Sequence, residues 1–166
     1  MIDIVLDSGH LVEFLVQYFD TDVANRGMGR FRSSTIFSGE LVRRLNQMVT
    51  TASEGISKLI IASTFALVEI ARNWDALVQD RFSVQQLHAF TYQHPEWFSL
   101  APVDEDLIPF FVDVPPTVIV GSNLVPIELV DAIHLATVFS RGPDTTLATS
   151  DARAKKVLEL QGRVIL

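Results

Sequence analysis

Four acidic residues stand out for where they fall: Asp7, Glu69, Asp131 and Asp151. Each has an ordinary structural explanation taken singly. Asp7 follows an apolar run and suits the start of a turn. Asp131 lies near a helix start, where the macrodipole favours an acid, and Asp151 suits an N-cap. Glu69 is harder to explain this way, because residues 60–68 are almost wholly apolar and a carboxylate among them needs a partner. Taken together the four imply chemistry. Carboxylates within about 5 Å of one another repel by about 3 kcal/mol per pair at an effective dielectric near 20. Such a cluster persists only when protons or cations neutralise it. With no cysteine in the chain and no close histidine pair, hard divalent cations on oxygen ligands are the fitting counterions. Mg²⁺ or Mn²⁺ on carboxylates beside arginine-rich segments is apparatus suited to hydrolysing a phosphodiester.

For the four to meet, the chain must bring distant segments to one edge. Residues 2–6 and 59–62 are short apolar runs that read as buried strands, and 97–103 and 145–149 add two more. Residues 164–166 are expected to form a short fifth strand. Helices are expected over 10–19, 39–51, 65–79, 83–91, 104–112, 127–140 and 151–161. Ser83 with Gln86 fits a capping box, Asp104 and Asp151 fit N-caps, and Gly162 fits a C-cap. Strands thus alternate with helices, which implies one α/β domain over 1–166 with a parallel sheet covered on both faces. In such a sheet ligands bind beyond the carboxyl ends of the strands. Asp7 follows the first strand, Ser63, Thr64 and then Glu69 follow the second, and Thr149, Ser150 and Asp151 follow the fourth. Asp131 opens the helix leading into that fourth strand.

The chain has 166 residues, 13 Lys+Arg against 20 Asp+Glu, and a net charge of −7. That balance argues against a polyanion binder that works with its whole surface. Arginine nevertheless dominates the basic residues and clusters at Arg26, Arg30 and Arg32, at Arg43 and Arg44, and at Arg153 beside Lys155 and Lys156. The longest uncharged stretch, 114–127, has 14 residues and three prolines, too short for a spanning helix of about 20. The first seven residues carry two acids and no base. A secretory leader is therefore not expected, and a cytoplasmic protein without membrane contact is.

These residues carry a resemblance. Ile4-Val5-Leu6-Asp7-Ser8, Ala62-Ser63-Thr64 with Glu69, Val130-Asp131-Ala132-Ile133-His134-Leu135-Ala136, and Ala148-Thr149-Ser150-Asp151 occur in that order, each in its strand–helix context. Together they resemble the PIN-domain nucleases, and most closely the single-domain VapC-type toxins, over nearly the whole chain. The resemblance implies a three-layer α/β/α sandwich with a five-stranded parallel sheet of order 3-2-1-4-5. It implies Mg²⁺- or Mn²⁺-dependent cleavage of RNA, with Asp7, Glu69, Asp131 and Asp151 as an acidic quartet for metal and catalysis. Ser8 and Thr149 would then donate hydrogen bonds to those carboxylates. A toxin of this kind would belong to a type II toxin–antitoxin pair, bind a small antitoxin and form a homodimer.

The segment from 20 to 34 departs from compact members of that family. Its Arg26, Arg30 and Arg32 are expected to grip RNA phosphates. His134, three residues after Asp131, shares its helical face, and a locally satisfied histidine is the expected role. His10, His88 and His94 show no metal-ligand spacing. Trp74, Trp97, Phe110 and Phe111 are expected in the core or at an oligomer interface rather than under bases. Other enzyme classes on similar folds are disfavoured by absence. There is no Gly-x-Gly-x-x-Gly after the first strand, no phosphate-binding Gly-x-x-x-x-Gly-Lys and no Gly-x-Ser-x-Gly elbow. Gly9 occupies the place where an aspartyl phosphotransferase of the haloacid dehalogenase type would carry its second Asp. A non-catalytic PIN-like module that binds RNA or protein is the alternative reading.

Overall fold

A computed structural model describes residues 2–20, 31–52 and 59–166. In chain order the elements are β1 (Asp3–Leu6), α1 (Ser8–Phe19), α2 (Gly39–Ala52), β2 (Ile60–Ser63), α3 (Thr64–Arg72), α4 (Trp74–Leu77), α5 (Val84–Tyr92) and β3 (Phe98–Ala101). A 3-10 helix (Glu105–Asp113) follows, then β4 (Thr117–Val120), β5 (Asn123–Pro126), α6 (Leu129–Ser140), β6 (Thr145–Ala148) and α7 (Ala152–Leu160).

β3, β2, β1 and β6 form one parallel sheet in that order. Parallel strands covered on both faces must be apolar almost throughout. Ile4, Val5, Leu6, Ile60, Ile61 and Leu147 accordingly lie buried at 1% exposure or less. The pleat deals them alternately to two cores. Ile4 and Leu6 pack with Leu11, Phe14, Leu45, Ile70 and Phe90, from α1, α2, α3 and α5. Val5, Ile61 and Leu147 pack with Leu135, Val138, Val157 and Leu158, from α6 and α7. Helices therefore cover both faces. Asp3, the one acid inside a strand among the described residues, accepts a hydrogen bond from Leu59 N–H at 2.9 Å across the β1–β2 seam.

The order also fixes where a ligand would sit. From β1 the chain moves outward through β2 to β3, then returns to place β6 on the other side of β1. That reversal between β1 and β6 is a topological switch point, the place where ligands of such sheets bind.

Four expectations need correction. The sheet has four parallel strands, and residues 164–166 do not form a fifth. The C-terminal segment instead meets the β6 region through side chains. Thr146 Oγ1 donates to Val164 O, and Arg163 Nη1 donates to Gly142 O at 2.6 Å and Thr145 O at 2.8 Å, so the guanidinium uses a strand carbonyl that a ladder would need. The helix expected over 65–79 is broken at Asn73, whose φ of −113° and ψ of 32° end α3 before the short α4 begins. The Asp104-capped helix is a 3-10 helix with Pro109 inside it, where a missing N–H removes the α-type bond. Residues 117–126 form an antiparallel hairpin, where no strand was expected in the uncharged stretch 114–127. Its signal was present: the β-branched run Thr117-Val118-Ile119-Val120, then Gly121-Ser122, with Gly121 at φ +63° in the turn. Among the described residues no helix is long and apolar enough to cross a membrane.

Candidate active site

Asp7 leaves β1 as the N-cap of α1. Its Oδ1 accepts the N–H of His10 at 2.8 Å and meets the His10 ring Nδ1 at 2.8 Å. Burial pushes this carboxyl up, but the bonds and charge of His10, with a further hydrogen bond from Thr149, outweigh it and hold Asp7 below its ordinary value. Thr149, just past β6, also accepts Asp151 N–H at 3.1 Å. It thus ties the ends of β1 and β6 together at the switch point.

Glu69 lies on α3, whose N-cap is the buried Ser63 at the end of β2. Ser8 Oγ, at the first position of α1, donates to Glu69 Oε2. His134 Nε2 stands 4.0 Å from the same oxygen. The ring of His134 is buried, with Nδ1 3.5 Å from Ser63 Oγ and no hydrogen-bond partner for Nε2. Burial pushes its pKa down against the pull of Asp7 and Glu69. The expectation that His134 is satisfied locally therefore needs correction: one ring nitrogen faces the acids without a hydrogen bond.

Asp131 sits in the first turn of α6 and Asp151 caps α7. Asp151 Oδ1 accepts the N–H groups of Arg153 at 2.8 Å and Ala154 at 3.1 Å. The Arg153 guanidinium folds back on it through Nε and Nη2, and these bonds hold Asp151 below its ordinary value. Asp131 has less help. Its buried Oδ2 makes no well-formed hydrogen bond, although Arg153 Nη2 lies 3.1 Å away as an ion pair. Burial, and then the charge of Asp151, push the Asp131 carboxyl up to about 6, with Arg153 pulling the other way and Glu128 and Asp7 adding to the rise.

The charges of Asp151 and Asp7 act on Asp131, and those of Asp7 and Glu69 act on His134, so the acids lie on four separate segments linked in two overlapping groups. They do not stand as a ready-made cage. Among the described residues no three Asp, Glu or His side chains are grouped as they would be around a metal ion. The donor chemistry nonetheless fits a hard divalent cation: carboxylate oxygens, one of them buried and without a hydrogen bond, in a locally acidic cluster.

His10 and Glu128 escaped the sequence reading. Asp7 followed three residues later by His10 was the available signal for the first. Glu128 has no comparable signal, because its partner Arg153 is 25 residues away, at 2.7 Å. Arg26 and Arg30 lie outside the described residues. Arg32 pairs with Asp20 at 3.0 Å, at the far end of α1 from Asp7. Twelve helical residues span about 18 Å, so an Arg32–phosphate contact would lie well away from the acids. Trp97 is buried among Phe14 and Tyr18, and Trp74 packs edge-on against Phe82, so both serve packing. Comparison with protein-family models, with curated proteins and with solved structures gave no match.

Proposed function

We infer that the chain is a divalent-cation-dependent endoribonuclease of the PIN-domain kind, the toxin of a type II toxin–antitoxin pair. The observation that supports this reading is the charge contact of Asp7 and Asp151 with Asp131 and of Asp7 and Glu69 with His134, between residues of four different segments. Asp7, Asp131 and Asp151 would hold Mg²⁺ or Mn²⁺, with Glu69 completing the set. A cation bound there supplies charge for a phosphodiester and lowers the pKa of a water. The chain's own residues do the rest. His10 and Thr149 fix the Asp7 carboxylate, and Ser8 fixes Glu69. Glu69, 4.0 Å from Nε2 of His134, would help orient the attacking water. Arg26, Arg30 and Arg32 would hold flanking RNA phosphates. A small antitoxin and a second copy of the chain are the proposed protein partners.

The test is the chemistry of the cut ends. Water as nucleophile leaves the ribose 2′-hydroxyl out, so the products of Mn²⁺-supported cleavage carry no 2′,3′-cyclic phosphate. Cyclic phosphate ends would overturn the reading.

The alternative, a non-catalytic module binding RNA or protein, draws support from Arg153, which already neutralises part of the acid cluster. It predicts no Mn²⁺-dependent change in stability or activity.

A further inference from the structure

Arg153 stands where three acids from two helices meet. Its Nη1 is 2.7 Å from Glu128 Oε1, and its Nη2 is 2.8 Å from Asp151 Oδ2 and 3.1 Å from Asp131 Oδ2. One nitrogen therefore bridges two carboxylates, one in the first turn of α6 and one capping α7. Helix preference does not explain the placement, since Arg153 is the second residue of α7, where the dipole disfavours a cation. The three acids explain it.

The bridge also occupies what a metal would need. Both oxygens of Asp151 are engaged, Oδ1 by two backbone N–H groups and Nε, and Oδ2 by Nε and Nη2. With Nη2 paired to both, the Asp131 and Asp151 oxygens stand no more than about 6 Å apart. Two oxygens sharing one Mg²⁺ at about 2.0–2.1 Å stand no more than about 4.2 Å apart. The guanidinium and a divalent cation would thus compete for one pair of carboxylates.

We propose that Arg153 is a resident countercation, a positioning residue that holds Asp131 and Asp151 when no metal is bound and gives them up when a divalent cation enters, keeping Glu128 as its anchor. This rests on the cation site read above and adds its regulation: cation affinity is set by the cost of displacing a side chain of the same chain.

The experiment is calorimetric titration of Mn²⁺ into the full chain and into Arg153→Gln and Arg153→Lys, with thermal unfolding of each in EDTA. Asp131→Asn serves as the control that the heat comes from this site. Arg153→Gln is expected to bind Mn²⁺ about ten-fold tighter than wild type, having lost the competing charge, while unfolding at lower temperature in EDTA. Arg153→Lys, which keeps a charge but lacks the fork, falls between and keeps the test decisive if Arg153→Gln fails to fold. A residue that served only packing would lower stability and affinity together. Wild-type Mn²⁺ binding with unchanged or weaker binding in the variants overturns the inference and leaves the cation site standing. No binding by wild type or by either variant overturns the inference and the cation site together.

Discussion

The ring Nδ1 of His10 lies 2.8 Å from Oδ1 of Asp7, and the backbone N–H of His10 reaches the same oxygen. One residue thus supplies both the helix-capping bond and a side-chain hold on the carboxylate that ends β1. The ring is buried and stacked on Phe37, with centroids 6.1 Å apart, so it cannot readily turn away. A carboxylate fixed this way is ready for a ligand without having to be ordered first.

Replacing His10 by Ala removes the ring contact and the side-chain hold while leaving Asp7 buried. Stability in urea is expected to fall by about 2–3 kcal/mol at pH 7. Asp7 is depressed in the folded wild type, so its contribution is full above the unfolded value near 3.9 and is lost as pH falls through the lower folded value. In His10→Ala its titration, followed by carboxyl-carbon NMR, moves to higher pH. An unmoved titration would show that the histidine does not set it.

Asp131 titrates in the opposite sense. Its folded value of about 6 exceeds that of the unfolded chain, so the folded state keeps the proton longer. The Asp131 contribution to wild-type stability, without added metal, is expected to decline as pH rises from about 4 to about 6. Asp131→Asn lacks that decline and gains about 1 kcal/mol on wild type at pH 7, a figure reduced for solvent screening at this partly open group. Urea unfolding across that range checks both slopes; parallel curves would contradict the burial argument.

Ser8→Ala deletes the hydroxyl that donates to Glu69 and costs about 1 kcal/mol. Ser83→Ala breaks the capping box of α5 and costs a similar amount, but it leaves the acids alone. Equal losses of stability with reduced RNA cleavage only in Ser8→Ala are the expected pattern. Equal losses of cleavage would mean that Ser8 acts through stability alone.

Combined Arg26, Arg30 and Arg32 to Ala substitution tests the phosphate-grip reading. Three lost contacts to single-stranded RNA flatten the slope of log affinity against log salt by about 2. Filter binding at several salt concentrations reads it, and an unchanged slope removes these arginines from the interface.

Much of this was legible before any coordinates. Apolar runs marked β1, β2 and β6, because strands buried on both faces cannot hide their composition. Asp151, Ser83 and Asp104 announced helix starts through local bonds that depend on a few adjacent residues. What spacing could not convey was partnership over distance. Nothing near Arg153 shows that it reaches Glu128 and Asp131, and nothing near Glu69 shows that Ser8 lies against it. The fifth strand failed for a related reason. Residues 164–166 are apolar enough for a strand, but Arg163 ties the adjoining segment to β6 through its side chain. The hairpin at Gly121 was legible from its β-branched run and turn, and was hidden by the prolines that flank it.

Cleavage of a panel of structured RNAs by purified wild type and by Asp7→Asn, each with Mg²⁺, with Mn²⁺ and with EDTA, tests the proposed function most directly. Cutting that requires metal and disappears in the folded Asp7→Asn variant is the predicted result. Cutting that persists in EDTA or in Asp7→Asn would contradict a nuclease built on these carboxylates.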